Sequence, residues 1–378
     1  MKAVSLVRAA GVVCALGLVG VMAGCAGGVE PPKPAELGPN AALIGVRQAW
    51  AAQIGPVGFP LQINVQGNTV TVANSEGTVA ALDARTGADI WRSTLGTGLA
   101  AGVGSDGRFA AVVTQGNELV VLDAGRELWR QKLPALSFTA PLVAGARVFV
   151  LSADRAVTAF DATSGRRLWG QSRPGEPLVL RQAGVMLAVG DTLVVGLSGR
   201  LVGMNPANGA SRWEVPIAVP RGTNDVERLV DLVAQVSRVG DVVCARAYQT
   251  AVGCVNAADG KPVWTKPANG FVGVHGDGQN IYGTEADGKV IAWRSASGER
   301  GWESERLKYR GLTAPLAVGR SVAVGDGTGL IHLLSREDGA LLNRLATDGT
   351  AIVAAPALAG TTLVVTTRNG GVFGFRPE

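Results

Sequence analysis

The chain is predicted to be all-β and to form an eight-bladed β-propeller with its ring closed by the N- and C-terminal strands in one blade. Three observations predict this. One strand–turn–strand phrase recurs, mostly at intervals near 40 residues, which is the period of a four-stranded blade. The stretches between phrases are dominated by Val, Thr and Ala, with 53 glycines in the chain, as short strands joined by tight turns require. The final phrase lacks its last strand, and a matching strand stands near the N-terminus.

A chain of 378 residues can hold one large β domain or two ordinary ones. Hydrophobic residues make up 47% and charged residues 17%, so a sizeable buried core is expected and wholesale disorder is not. The formal charge is +5; without Lys2 and Arg8, which lie in a segment expected to be removed, it falls to about +3. No Lys/Arg run and no aromatic–basic interleaving occurs, so nucleic acid is not an expected partner.

Residues 1–24 read as a secretory signal peptide, with Lys2 and Arg8 ahead of an uncharged, largely apolar run from Ala9 to Gly24. That run is short for a spanning helix, which needs roughly 20 apolar residues. Met22-Ala23-Gly24-Cys25 resembles a bacterial lipobox, with Met in the usual Leu position, and marks Cys25 for lipid attachment. Ala26 follows the cysteine, which fits sorting to the outer membrane better than inner-membrane retention. Acyl chains on Cys25 would hold the protein stably, since each buried CH₂ is worth about 0.8 kcal/mol. Residues 25–40, rich in Pro and Gly, are expected to be a tether, and residues 41–378 the propeller.

The phrase appears as LDARTGADIW to Trp91, LDAGRELW to Trp129, FDATSGRRLW to Trp169 and MNPANGASRW to Trp213. It continues as VNAADGKPVW to Trp264 and WRSASGERGW to Trp302. In each, Trp stands four residues after Gly (Gly87, Gly125, Gly165, Gly209, Gly260, Gly298). A seventh copy, LSREDGALLN, keeps Gly339 but places Asn343 in the Trp position. Asp or Asn can cap the turn through backbone N–H groups, and Gly supplies a positive φ. The Trp is expected to wedge between neighbouring sheets, burying about 150–250 Å². The chain ends on GGVFGFRPE, a strand without a successor, while LIGVRQAW brings Trp50 in just after the tether. Pairing the two would make an eighth blade, close the ring and leave no unpaired edges there. Eight blades then average about 42 residues. A β-sandwich would not repeat one phrase eight times, and a β-helix has a much shorter period.

Binding loops are expected where blades depart from the template. The interval from Trp213 to Trp264 is the longest, at 51 residues, with its insertion within 216–236. The stretch from Arg173 to Gly184 is also irregular, and places Leu178 and Leu180 beside Arg181. Opposite a loop carrying Glu227, Arg228 and Asp231, these residues could form an apolar patch rimmed by charge, suited to a protein contact. Alternatively, Leu178 and Leu180 simply alternate into the core.

At these residues the chain resembles the BamB family, the lipoproteins of the outer-membrane β-barrel assembly (BAM) complex. The likeness covers essentially the whole chain, from the lipobox through the Gly/Trp repeats to GDGTGLIHLLSREDG (325–339) and RNGGVFGF (368–375). It implies docking onto the periplasmic POTRA domains of the barrel subunit BamA, through a Leu-x-Leu-Arg segment and a nearby acidic loop. Leu178, Leu180 and Arg181 match the first element and Asp231 one acidic position of the second. Val233 occupies the other acidic position, and Glu227 offers a neighbouring carboxylate instead. The resemblance also implies a place at the periplasmic face of the outer membrane and unfolded outer-membrane protein clients that could meet exposed blade edges.

The Gly-x-x-x-Trp phrase is also similar to the repeats of quinoprotein dehydrogenases, which use pyrroloquinoline quinone and Ca²⁺. Fold does not separate the two families, but chemistry does. The chain has no adjacent cysteines and no CxxCH signal, and acids such as Asp83, Asp123 and Asp161 sit at repeated turn positions. Ca²⁺ needs six to eight oxygen ligands. His275 and His332 stand apart and are read as structural or surface residues, and GDGTG lacks the strand-to-helix setting of a phosphate loop. No catalytic residue, metal site or cofactor is therefore expected. Cys244 and Cys254 flank a hairpin centred near 248–250; in an oxidising periplasm they form a disulfide, or else two buried thiols on adjacent strands.

Overall fold

The computed structural model describes residues 32–173 and 178–378, and the propeller is the compact unit Ala35–Glu378. The expected signal peptide and Cys25 lie outside the described residues. Among the described residues, 32 strands form eight four-stranded antiparallel sheets. Seven sheets use four consecutive strands each: 64–94, 104–132, 142–171, 186–216, 232–267, 274–304 and 316–346, taken here as blades 1 to 7. Blade 8 joins Ala357–Ala359, Thr362–Thr366 and Gly371–Pro377 to the N-terminal strand Val46–Gln53, which forms its outer edge. There Gln48 pairs with Phe375 and Trp50 with Gly374. The ring closes by this clasp.

Burial explains the strand composition. In blade 1 the middle strands Thr69–Ala73 and Thr78–Asp83 are buried almost throughout, because neighbouring sheets cover both faces and continuous apolar runs result. The outer strand Asp89–Thr94 alternates between exposed and half-buried after its first residue, since only its inner side meets protein.

The seven repeat tryptophans lie on these outer strands, and each reaches the turn of the following blade. A Cβ on Gly87 would stand 2.5 Å from the Trp50 ring, and Gly87 holds φ at 72°, so only glycine satisfies both demands. The same contact joins Trp91 to Gly125, Trp129 to Gly165, Trp169 to Gly209, Trp213 to Gly260, Trp264 to Gly298 and Trp302 to Gly339. The indole N–H adds a second tie. Trp50 donates to the Ala84 carbonyl at 2.9 Å, Trp129 to Ala162 at 2.8 Å and Trp302 to Arg336 at 2.9 Å. Each such bond contributes about 0.5–1.5 kcal/mol beyond the buried ring area.

The exception at Asn343 has a cause in this geometry. Blade 8 has no turn for a Trp to cover, because the two chain ends meet there and Glu378 N–H donates to the Gly45 carbonyl. Asn343 instead donates from Nδ2 to the Ile44 carbonyl at 2.7 Å and accepts from Asn40 Nδ2 at 2.9 Å. Where a turn is absent, a two-handed amide replaces the aromatic ring.

Within the tether expected over 25–40, the chain is held from Ala35 onward. Ala35 N–H donates to Lys308 O at 2.9 Å, Arg310 Nη1 to Ala35 O at 3.0 Å, and Arg344 Nη2 to Gly38 O at 3.0 Å. Leu37 packs on Val290, Leu307, Val324 and Leu334. Pro/Gly composition does not reveal this strap because its partners lie 275 and 306 residues away in sequence.

The strap rests on a buried polar network. Arg310 Nε donates to Asp326 Oδ2 at 2.8 Å, and His332 Nε2 lies 2.9 Å from the same oxygen. Burial works against the charge on Asp326, but hydrogen bonds from His332, the Leu330 N–H and Thr328 hold its carboxyl well below the usual range. His332 is fully buried. His275 is half-buried and accepts from the Ala317 N–H at 3.2 Å, and burial lowers its pKa.

The turn acids cap as expected in two of three cases. Asp83 accepts from the Arg85 and Thr86 N–H groups, and Asp161 from those of Thr163 and Ser164. Backbone hydrogen bonds, from Arg85 and Ser164 first, lower both carboxyls. Asp123 departs from the pattern. Its phrase is two residues shorter, the turn is made by Ala124 and Gly125 at φ 47° and 82°, and its carboxylate pairs with Arg108 at 3.1 Å.

Candidate docking rim

The loops that lead into blades 3, 4 and 5 carry the candidate site. Segment 178–184 lies beside segment 231–234: Leu180 N–H donates to Asp231 Oδ2 at 2.9 Å, and Ala234 N–H to Ala183 O at 2.9 Å. Leu178 is 39% exposed, so it does not alternate into the core. Its carbonyl is fixed by Arg155 Nη2 at 3.1 Å. Leu180 and Asp231 are half-buried. Arg181 is exposed, with its guanidinium carbon 5.6 Å from the centre of the Phe138 ring, within cation–π range. Among the described residues, no carboxylate forms an ion pair with it. A cavity of about 60 Å³ opens between Phe138, Leu180 and Asp231.

Four of the five expected docking residues therefore come together: Leu178, Leu180, Arg181 and Asp231. Glu227 is not bound to them. It accepts from the Thr223 N–H at 2.8 Å while its own N–H donates to Asn224 at 3.0 Å, closing the exposed tip of the insertion, 221–227. The Thr223 backbone bond lowers its carboxyl. Its carboxylate braces the loop locally, apart from the other four. Val233, at the position expected to be acidic, is buried and forms a bridge with Gly184, where a charge would be unsolvated. Phe138 and Arg155 were not foreseen from the sequence. They lie outside the recurring phrase, and only the fold brings them beside 178–181. Residues 174–177, within the irregular stretch, lie outside the described residues.

Cys244 and Cys254 face each other as direct partners on Val242–Ala247 and Ala251–Asn256, and are joined by a disulfide within a buried cluster.

The ring axis holds a cavity of about 990 Å³. Its described lining includes Gln182, Gln235, Thr313 and Arg368 but no Asp or Glu. A quinone–Ca²⁺ pair needs carboxylate and carbonyl oxygens around the ion, and this donor set does not fit one.

The fold defines a class: an eight-bladed propeller zipped by its own termini. Comparison with known proteins places it more closely. A family model described as outer membrane protein assembly factor BamB matches residues 75–304. The assembly factor BamB of Burkholderia pseudomallei is 37% identical over 375 residues, covering 98% of each chain. That of Bordetella pertussis is 38% identical over 344 residues, covering 90% of this chain and 89% of the relative. The crystal structure of BamB from Moraxella catarrhalis matches with a TM-score of 0.80 at 24% identity, covering 88% of this chain and 99% of that one. Quinohemoprotein alcohol dehydrogenase from Comamonas testosteroni matches at 0.68 and 16% identity, covering 90% and 78%, a likeness of fold alone. The chain belongs to the BamB family of outer membrane protein assembly factors.

Proposed function

We propose that the protein is a non-catalytic scaffold of the outer-membrane β-barrel assembly machinery, held by lipid on Cys25 at the periplasmic face of the outer membrane. It docks on the POTRA domains of the barrel subunit BamA and assists insertion of barrel proteins. The observation that carries this reading is the joining of Leu178, Leu180, Arg181 and Asp231 on one rim. Two leucines partly open to solvent and an arginine without a carboxylate partner among the described residues suit a desolvated contact with an acidic neighbour. The turn acids support a passive role, since Asp83 and Asp161 are engaged by their own backbones.

The test is charge reversal. Arg181→Glu should weaken binding to the periplasmic region of BamA by at least tenfold, whereas Glu227→Gln, which alters only the brace of the insertion, should change it less than threefold. Unchanged affinity in Arg181→Glu would remove the site.

A further inference from the structure

The rim does not stop at Asp231. Its carbonyl accepts from the Tyr248 N–H at 3.0 Å, and Gln249 N–H donates to Gly270 O at 3.0 Å. This turn is thereby tied to the loop that leads into blade 6. On that loop Phe271 is 38% exposed, and its ring centre lies 5.7 Å from that of Tyr248.

The aromatic pair is held by a costly device. Arg246 is fully buried, its Nη1 2.9 Å from Glu285 Oε1. Glu285 also accepts from the Asn269 N–H, while Ala286 N–H donates to Asn269 O at 2.6 Å. Gly270 leaves the guanidinium room, since a Cβ there would stand 2.0 Å from Arg246 Nη1. Buried ion pairs contribute little net stability and serve best where they fix one arrangement. Here the arrangement fixed is the loop that presents Phe271. A rigid aromatic on an exposed loop loses little entropy on binding, which is the character of an interface anchor.

We propose that Tyr248 and Phe271 are specificity-determining residues of the docking rim, forming an aromatic half continuous with Leu178–Arg181 through Asp231. This rests on the docking reading above, and the occupant is the same BamA periplasmic region, which must then present an apolar surface beside its acidic one. The rim thus spans the lead-in loops of blades 4 and 6 as a single strip, with the blade 5 turn between them.

The test measures binding of the full mature chain to the periplasmic region of BamA. Phe271→Ala and Tyr248→Ala should each weaken binding by about tenfold, and Phe271→Leu by less, because it keeps apolar area. Ile90→Ala, which removes a 54% exposed side chain on the outer strand of blade 1, should leave binding unchanged. Thermal unfolding of each variant checks that the ring is intact. If Arg181→Glu weakens binding but Phe271→Ala and Tyr248→Ala do not, the aromatic half is refuted and the docking site stands. If neither end matters, the docking reading itself falls. If Ile90→Ala weakens binding as much as Phe271→Ala, general surface hydrophobicity explains the effect and the proposal is overturned.

Discussion

Installing the repeat's own tryptophan at position 343 should destabilise the protein. Reasoning from the repeat alone gives the opposite sign. Six phrases place Trp there, and restoring a consensus residue commonly stabilises. A ring burying about 150–250 Å² at about 25 cal/mol/Å² would gain about 4–6 kcal/mol if its slot existed. The structure removes the slot. Asn343 is 6% exposed and bonds to Ile44 O and Asn40 Nδ2. Losing those two bonds costs about 1–3 kcal/mol, and forcing an indole into a filled site costs about 1–3 kcal/mol more. We therefore expect Asn343→Trp to lower stability by about 2–6 kcal/mol. Urea unfolding followed by circular dichroism measures this, and limited proteolysis read by mass should show earlier cleavage within 35–45. A midpoint equal to or above that of the parent chain would refute the account of the closing blade.

Two further outcomes follow from buried groups. Asp326 has a folded pKa below its unfolded value, so its contribution is complete above about pH 4 and lost as pH falls toward the folded value. Asp326→Asn should flatten that acid limb and cost about 3–5 kcal/mol at neutral pH, since it leaves Arg310 without its partner; an unchanged acid limb in a stability–pH series would sink this. Replacing both Cys244 and Cys254 with Ala should lower unfolding stability by about 2–3 kcal/mol, as expected for a bridge of sequence separation 10. Equal stability under oxidising and reducing conditions would show that the bridge contributes nothing.

Much of the candidate site was legible, and its gaps have physical reasons. Leu178, Leu180, Arg181 and Asp231 stood out because they interrupt a regular period. Whether the leucines faced core or solvent was not decidable, because alternation reads the same from either side of a sheet. Proximity in sequence to Asp231 does not reveal that the Glu227 carboxylate closes onto Thr223. Phe138 and Phe271 occupy lead-in loops and Tyr248 a hairpin turn, where the phrase fixes no residue type, so only the fold marks them.

The sequence by itself determined the blade count, the tryptophan–glycine spacing and the pairing of the two ends, because these rest on local turn chemistry repeated at a fixed period. Tertiary structure alone decided which glycine each tryptophan covers, why Asn343 stands apart, where the N-terminal strap lies and which loops share a rim. Those are contacts between residues tens to hundreds of positions apart, set by how the sheets pack around the axis, and no local pattern in the chain encodes them.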